Sequence, residues 1–342
     1  MKYWSCLLYV FSVFIQVQAA QQKPVVAVYA GWKYPQVQPE HLPWPKFSHL
    51  AIASVYPLPD GSLQTQMVDQ FIQPLVAAAH AEGKTVLLSV GGAGEGSRAF
   101  HQIMARPEKA AVFVDNLLQY ARRHQLDGID IDWEYWTYQH QLNKGGRDPV
   151  ESQQLVDLLK LLRSKLGDKM ILTADIIAGD WLGPQYDPAM QQYLDYVNLM
   201  AFDFTGGWPQ SHIGHHADYG TFIKAIKHSL AKGFHAEKLL VGLPAYGIEF
   251  IDGANQQTRQ IGYRDIVAMA GTDHSMLQQG RFGHIFFENK YLFAKKAKYL
   301  ARKKLAGYFV FDIASDHPAA ELSLLTAAQR YITPIQPSSQ GQ

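Results

Sequence analysis

Four acidic residues stand within the run 127–134, whose sequence is DGIDIDWE. From Asp130 onward acids alternate with apolar residues, a period of two that favours a β-strand. Alternate side chains of a strand point to opposite faces, so Asp130, Asp132 and Glu134 would project to one side, roughly 7 Å apart. Crowded carboxyl groups in a partly buried place repel one another and retain protons. The run therefore predicts a general acid beside a carboxylate.

Two other interpretations of this run are weaker. A solvent-exposed strand would not be expected to carry Ile129, Ile131 and Trp133 on its second face. A calcium-binding loop needs Gly at its sixth position and Glu at its twelfth, and a loop beginning at Asp127 has neither. The sequence therefore favours a buried strand that presents three acids to a site.

The rest of the chain predicts the frame that would hold this strand. Short apolar, β-branched runs recur at 25–30, 49–55, 85–90, 128–133, 170–176, 196–202, 238–243 and 307–311. Helical patterns lie between most of them, at 66–82, 107–124, 149–165, 219–232 and 290–304, with a last one at 318–331. Gly83, Gly167 and Gly233 stand where helices should end. Eight alternating strands and helices predict a closed α/β barrel, the (β/α)8 or TIM barrel.

We expect this barrel to be a single domain with a moderate excursion after the seventh strand, across 246–287. No Gly-x-Gly-x-x-Gly follows the first strand, which disfavours an open dinucleotide-binding sheet. In a TIM barrel the chemistry lies at the carboxyl ends of the strands. The strand ends and the loops after them therefore supply these candidate site residues: Tyr29, Trp32, Ser89, Gly91, Gly92, Tyr135, Met200, Phe202, Asp203, Trp208, Tyr246 and Phe311.

The acid run resembles the Asp-x-x-Asp-x-Asp-x-Glu signature of family-18 glycoside hydrolases, the chitinase family. Three further strand ends resemble motifs of that family: Ser-x-Gly-Gly at 89–92, Met-x-Tyr-Asp at 200–203, and Gly-x-Pro-x-Tyr-Gly at 242–247. The resemblance runs from about residue 25 to residue 316. It departs from the family at Phe202, where Tyr is usual, and at Phe311, where Trp is usual.

This resemblance implies a role for each acid of the run. Glu134 would protonate the glycosidic oxygen, and Asp132 would orient the substrate's acetamido nitrogen. Asp130 would share a proton with Asp132, while Asp127 would be structural. The twelve strand-end residues would bind the substrate. No cofactor and no metal are expected, although His212–His216 leaves a metal-dependent barrel enzyme as a remote alternative.

The two ends of the chain differ from its middle in composition. Lys2 and the apolar stretch 3–15, followed by Val17-Gln18-Ala19, predict a signal peptide over 1–19, and an uncleaved membrane anchor is the competing interpretation. The catalytic barrel would occupy 20–332, and the polar stretch 333–342 would be a disordered tail. The single cysteine, Cys6, lies in the leader, so the mature chain would form no disulfide.

Charge and composition limit the class of partner. The formal net charge is +1, and removal of Lys2 with the leader would leave zero. Such a balance disfavours nucleic acid and acidic membrane surfaces and suits a neutral carbohydrate substrate. The resemblance thus implies a secreted or periplasmic, monomeric, endo-acting hydrolase of β-1,4-linked N-acetylglucosamine polymers. Two alternatives remain open: a hydrolase of peptidoglycan or of the N-glycan core, and a non-hydrolysing chitin-binding lectin on the same barrel.

Overall fold

A computed structural model describes residues 20–137, 149–178, 186–208, 211–251, 257–271 and 275–335. The predicted leader 1–19 and residues 336–342 of the predicted tail lie outside the described residues. Within the described ranges, no helix combines the length and hydropathy that crossing a membrane requires.

Eight parallel strands form a closed barrel, because the first strand pairs with both the second and the eighth. They are β1 (Val25–Ala30), β2 (His49–Pro57), β3 (Thr85–Gly92), β4 (Gly128–Trp133), β5 (Ile171–Ile177), β6 (Tyr196–Met200), β7 (Leu239–Pro244) and β8 (Gly307–Phe311). Parallel strands of this kind are covered on both faces, which explains their nearly continuous apolar sequences. The predicted TIM barrel is confirmed, and each predicted strand ends within two residues of an observed end.

The strand register aligns polar residues inside the barrel. Asp130 of β4 lies between Ser89 of β3 and Thr173 of β5. One pleat further along, Asp175 of β5 lies beside Asn198 of β6. Residues in register on neighbouring strands point to the same face of a sheet. Four strands therefore direct these five polar side chains toward the same interior space.

Helices surround the barrel. They are α1 (Ile72–Ala81), α2 (Glu95–Met104), α3 (Pro107–Arg123), α4 (Pro149–Leu166), α5 (Tyr219–Ala231), α6 (Tyr263–Ala270), α7 (Ser275–Gln279), α8 (Lys290–Arg302) and α9 (Leu324–Ala328). The predicted ends at Gly83, Gly167 and Gly233 are confirmed, since all three glycines have a positive φ.

Several helices differ from the prediction. Helices α2, α6 and α7 were not predicted, α1 begins at Ile72 rather than at residue 66, and the last helix is far shorter than the predicted 318–331. Its late start has a local cause. The carboxylate of Asp316 accepts hydrogen bonds from the backbone N–H of Leu324 and from the Ser323 hydroxyl, and Ser323 then caps the helix.

The main core lies between the outer face of the barrel and the helices. Trp133 of β4 is fully buried there and stacks on Phe100 of α2, with ring centroids 4.9 Å apart. Ile129 and Ile131 lie in the same cluster. The apolar face of the acid run therefore packs against α2, which fixes the opposite face toward the barrel interior.

The excursion after β7 is a small lobe with its own antiparallel sheet. Its strands are Tyr246–Phe250, Thr258–Gly262, Arg281–Phe282 and Ile285–Phe287, and they are joined by α6 and α7. A fully buried ion pair ties the lobe to α8, with Lys296 Nζ 2.5 Å from Glu288 Oε1. This buried ion pair therefore fixes the lobe against α8.

The two ends of the described chain meet at one short parallel sheet. Strand Gln21–Lys23 pairs with strand Ile332–Pro334. The predicted disordered tail includes Thr333 and Pro334, and this boundary is wrong by two residues. The apolar side chain of Ile332, which is fully buried, fixes the segment against the core.

Candidate active site

A cavity of about 350 Å³ opens at the carboxyl ends of the barrel strands. Its lining includes these residues predicted from the sequence: Trp32, Ser89, Gly91, Gly92, Asp130, Asp132, Glu134, Met200, Phe202, Asp203, Tyr246 and Phe311. Ser89 and the acids among them can form hydrogen bonds with a polar substrate group, whereas Met200 and the phenylalanine rings are apolar. The cavity therefore combines carboxyl groups with apolar and aromatic walls.

Asp130 lies at the base of the acid cluster and is held by its neighbours. The Thr173 hydroxyl donates to Asp130 Oδ1 over 2.5 Å, and the Asn198 amide donates to the same oxygen over 3.0 Å. Ser89 also donates a hydrogen bond to it. Burial raises the pKa of Asp130, and these hydrogen bonds act in the opposite direction. Asp130 is therefore a fixed group rather than a mobile one.

Asp132 and Glu134 are hydrogen-bonded to each other. Burial, and then the charges of Glu134 and Asp130, raise the pKa of Asp132 well above its usual range. Burial, and then the charge of Asp203, raise the pKa of Glu134 to about 7. The expected sharing of a proton between Asp130 and Asp132 is not seen, because Asp132 bonds to Glu134 while Asp130 is occupied by donors from three other strands.

One oxygen of Asp132 remains available. Asp132 Oδ1 is buried and has no hydrogen-bond partner among the described residues. A buried acceptor without a donor is costly, and it marks a place where a ligand N–H or O–H would be favourable.

Asp175 is a further carboxyl group of the cluster, and it was not predicted from the sequence. It lines the same cavity from β5 and donates a hydrogen bond to Asp130. Burial, and then the charges of Asp130 and Asp132, raise its pKa well above the usual range. Asp175 therefore keeps its proton, and its O–H group donates a hydrogen bond to Asp130. A signal was present in the sequence, since Thr173 and Asp175 alternate on an otherwise apolar strand.

The backbone around Glu134 is held by α2. The Ser97 hydroxyl donates to the carbonyl of Gly92 over 2.7 Å, and the Glu134 N–H donates to the Ser97 oxygen over 2.7 Å. Gly91 is required beside them, because its φ is +114° and a Cβ there would lie 2.2 Å from the Asp132 carbonyl oxygen. The Ser-x-Gly-Gly segment thus allows β3 to approach the acid strand closely.

Asp203 stands across the cavity in a second polar group. The Tyr246 hydroxyl donates to Asp203 Oδ1 over 2.6 Å, and His216 Nδ1 lies 3.1 Å from the same oxygen. The other ring nitrogen of His216 lies 3.2 Å from the Tyr246 carbonyl oxygen. Both ring nitrogens of His216 therefore contact this polar group and hold the ring beside Asp203. The loop sequence alone predicts only a polar residue here and does not reveal that His216 fixes Asp203.

Aromatic rings form the apolar side of the cavity. Phe311 lies 6.1 Å from Trp32 and 6.1 Å from Phe202, measured between ring centroids. Gly242 makes room for Phe202, since a Cβ at Gly242 would lie 2.5 Å from that ring. Trp32 is 51% exposed at the rim. Flat apolar rings of this kind suit the apolar face of a sugar.

Three candidate binding residues are corrected by the structure. Tyr29 is fully buried among helices and donates to the Val37 carbonyl, because on β1 the even positions, not the odd ones, face the cavity. Tyr135 is fully buried against Tyr186 and Trp133. Trp208 covers Gly206 and does not line the cavity.

Asp127 lies at the start of β4, away from the cavity. Its carboxylate accepts from the Val86 N–H over 2.7 Å and lies 2.9 Å from His80 Nε2. These contacts join β4 to β3 and α1, as expected of a structural residue. Among the residues that the structure describes, no group of three His, Cys, Asp or Glu side chains is arranged to hold a metal ion.

The barrel and its cavity define the protein as a TIM barrel with a carboxyl-lined site at the carboxyl ends of its strands. The sequence profile of glycosyl hydrolases family 18 matches residues 25–316, and the chain belongs to that family.

Among curated relatives, a chitinase-like effector of Moniliophthora perniciosa is 28% identical over 247 residues, which cover 65% of this chain and 55% of the relative. A class V chitinase of Lotus japonicus is 25% identical over 264 residues, which cover 67% of this chain and 61% of the relative. The chain therefore spans little more than half the length of these relatives.

Solved structures show the same fold at lower identity. A chitinase from Bacteroides thetaiotaomicron aligns with a TM-score of 0.76 at 21% identity, covering 91% of this chain and 96% of that one. The Ostrinia furnacalis group IV chitinase, solved in complex with allosamidin, aligns with a TM-score of 0.76 at 20% identity, covering 90% and 97%.

Proposed function

We propose that the protein is a secreted, endo-acting hydrolase of β-1,4-linked N-acetylglucosamine polymers that retains the anomeric configuration. The observation that most supports this activity is the pair Asp132 and Glu134, hydrogen-bonded in a cavity where the pKa of Glu134 is raised to about 7. A carboxyl group with such a pKa holds a proton near neutral pH and can release it during a reaction.

In the proposed reaction, Glu134 gives its proton to the glycosidic oxygen while the bond from that oxygen to the anomeric carbon breaks. The carbonyl oxygen of the substrate's own acetamido group attacks the anomeric carbon and forms a cyclic oxazolinium ion. Water then opens this ion and gives a proton back to Glu134. Family-18 enzymes are the known exception that use the substrate in place of a second carboxylate nucleophile.

Asp132 would act on the acetamido group during this reaction. Its buried Oδ1 has no partner among the described residues and would accept the acetamido N–H. That hydrogen bond would hold the acetamido carbonyl oxygen toward the anomeric carbon. Once Glu134 has given up its proton, the negative charge left on the hydrogen-bonded pair of Asp132 and Glu134 would stabilise the oxazolinium ion. Asp130 would keep Asp132 in place, because Asp130 itself is fixed by Thr173 and Asn198.

The aromatic wall would position the sugar rings. Phe311 and Phe202 would contact the ring that is cleaved, and the exposed face of Trp32 would stack on a neighbouring sugar beyond the cavity. Because Trp32 lies at the rim of the cavity and is half exposed, it would extend the binding surface along a polymer, which is why endo-action is proposed. Secretion would remove the leader 1–19, so the exported protein would begin after residue 19. Amino-terminal sequencing of the exported protein tests this.

A second candidate is carbohydrate binding without hydrolysis. Phe202 favours it, since a ring without a hydroxyl cannot donate a hydrogen bond to developing charge. Two relatives from Moniliophthora are named chitinase-like effectors.

A substrate panel tests both candidates. The purified protein is incubated with the hexamer of N-acetylglucosamine, its fully deacetylated counterpart, peptidoglycan and a high-mannose glycopeptide, and the products are resolved by mass. Internal cleavage of the acetylated hexamer alone is the expected result. Binding of that hexamer without products would favour the second candidate, and cleavage of the deacetylated hexamer would overturn the substrate-assisted mechanism.

A further inference from the structure

A second concave surface lies on the outside of the barrel. Helices α8 and α9 border a groove of about 830 Å³, here called the outer groove. It shares no lining residue with the catalytic cavity. Its cationic lining residues are Lys290, Lys295, Lys298, Arg302 and Arg330, while Glu321 is the one acid among the described residues that line it.

The sequence of α8 explains this concentration of positive charge. Tyr291, Lys295, Lys298 and Arg302 are spaced by four, three and four residues, which places them on one face of the helix. Phe293, in contrast, is fully buried on the opposite side. The outer groove is strongly cationic although the whole chain carries a formal net charge of only +1. Such a local excess of positive charge attracts an anionic ligand.

These cations are not neutralised by the protein. Among the described residues, none of the five lies within 4.0 Å of a carboxylate, and Lys290 bonds instead to the backbone carbonyl of Glu321. Rings hold the ammonium groups in place. Lys295 Nζ lies 4.1 Å from the ring centroid of Tyr219, and Lys298 Nζ lies 5.6 Å from that of Tyr331. Lys290, Lys295 and Lys298 are therefore positioned before any ligand binds.

The geometry points to a polymer with spaced anionic groups. From Lys290 to Arg302 the cations extend along about 18 Å of helix axis, at 1.5 Å per residue. A single small anion could contact only part of this row. The surface is concave and offers tyrosine hydroxyls, which suits a hydroxyl-rich chain better than a flat lipid surface. Lysines already cover the Tyr219 and Tyr331 rings, so these rings are poor platforms for stacking nucleic-acid bases.

We propose that the outer groove binds an acidic polysaccharide, one that carries sulfate or carboxylate groups along its chain. The groove would hold the protein on an anionic polymer while the catalytic cavity remains free. Because the two surfaces share no residue, this binding does not depend on the proposed hydrolysis, and either proposal can fail alone.

The test measures binding of the purified protein to dextran sulfate, polygalacturonate and neutral dextran by titration calorimetry, with duplex DNA and anionic vesicles as further probes. The groove variant is Lys295→Gln/Lys298→Gln/Arg302→Gln. The matched control, Arg106→Gln/Arg122→Gln/Lys160→Gln, removes three exposed cations elsewhere and changes the net charge equally. The single reversal Lys298→Glu, at an exposed position, serves if the triple variant has a lowered Tm.

The wild type is expected to bind at least one acidic polymer, more weakly as salt rises, and not neutral dextran. The groove variant should lose at least tenfold in affinity, while the control changes by less than twofold and both keep the wild-type activity on the acetylated hexamer. The polymer that binds identifies the anionic group as sulfate or carboxylate. Equal losses in the two triple variants, no wild-type binding to either polymer, or tighter binding to duplex DNA or anionic vesicles would overturn the proposal.

Discussion

Asp175 donates a hydrogen bond to Asp130 from the neighbouring strand, so two carboxyl groups at the base of the cavity share one proton. Asp130 itself lies one pleat below Asp132 on β4. The proton held by Asp175 thus reduces the negative charge under the reacting pair. The cluster is a graded series of carboxyl groups in which the most buried members are held by hydrogen bonds and the outermost, Glu134, titrates near neutral pH.

Glu134→Gln should lower kcat on the acetylated hexamer by roughly 10²–10⁴-fold, because the amide keeps the shape but has no proton to give. Affinity for the oligosaccharide should stay near that of the wild type. Release of reducing ends and calorimetric binding measure the two quantities. Glu95→Gln, an exposed acid on α2, is the matched control and should have no effect. Activity of the Glu134→Gln variant within about threefold of the wild type would rule out Glu134 as the acid, since general acid catalysis contributes far more than that.

The pH dependence of kcat/KM should have an alkaline limb near pH 7. Glu134 must be protonated to act, and burial and the Asp203 charge raise its pKa to about 7, so activity falls as pH rises through that value. Asp203→Asn removes the charge and should move the limb to lower pH, whatever it does to the maximal rate. The exposed Asp157→Asn should leave the limb in place. A limb unmoved in the Asp203 variant would contradict this coupling.

Asp175→Asn should stabilise the protein at alkaline pH. A carboxyl group whose pKa is raised on folding contributes stability below its unfolded pKa and loses it as pH rises through the folded pKa. The wild type should therefore lose stability from pH 5 to pH 9, and the Asn variant should lose less, since Asn can still donate to Asp130 but cannot ionise. Thermal denaturation across this range measures the difference.

Asp175→Ala, compared with Asp175→Asn, tests the hydrogen bond to Asp130 separately from the charge. It removes both the charge and the donor, so Asp130 loses one hydrogen bond, at a cost of about 1–3 kcal/mol. We expect a lower Tm than that of the Asn variant at pH 5, since neither variant carries a charge at position 175 and they differ there only in the hydrogen-bond donor. Equal Tm values at that pH would mean that the Asp175 donor contributes nothing to the cluster.

Phe202→Tyr should raise turnover on acetylated substrates by roughly tenfold or more, if the new hydroxyl donates to charge that develops on the acetamido oxygen. KM should change much less than kcat. Steady-state kinetics and the Tm are measured together, because a hydroxyl without a partner in this aromatic corner would lower the Tm. Unchanged turnover in a variant of normal Tm would show that the hydroxyl does not reach the reacting group.

Much of this fold could be predicted because its determinants are local. Runs of β-branched residues located all eight strands, and a period of two located the three acids on one face. On β1 the same period of two places Val26 and Val28 inside the barrel and Tyr29 on the opposite face, so the period itself excludes Tyr29 from the site. Helix α2 escaped prediction because its first turn carries Gly96 and Ser97, which are weak helix formers.

The remaining site residues depend on contacts between distant segments. Asp175 alternates with Thr173 on an otherwise apolar strand, and only the register with β4 and β6 reveals its partners. His216 reaches Asp203 through a loop whose path no periodicity describes. Trp208 follows a strand and was expected at the site, but its ring lies against Gly206 instead of lining the cavity. Spacing identifies an acid strand, but tertiary packing decides which other side chains reach it.

The pairing of Gln21–Lys23 with Ile332–Pro334 brings residues that are 311 positions apart in sequence into adjacent strands, just before β1 begins. Both segments lie at the amino-terminal side of the barrel, whereas the cavity opens at the carboxyl side. A short linker could therefore join the two segments in a circular permutant without crossing the cavity. For the same reason, immobilising the protein on a solid support through either segment would leave the cavity facing the solution.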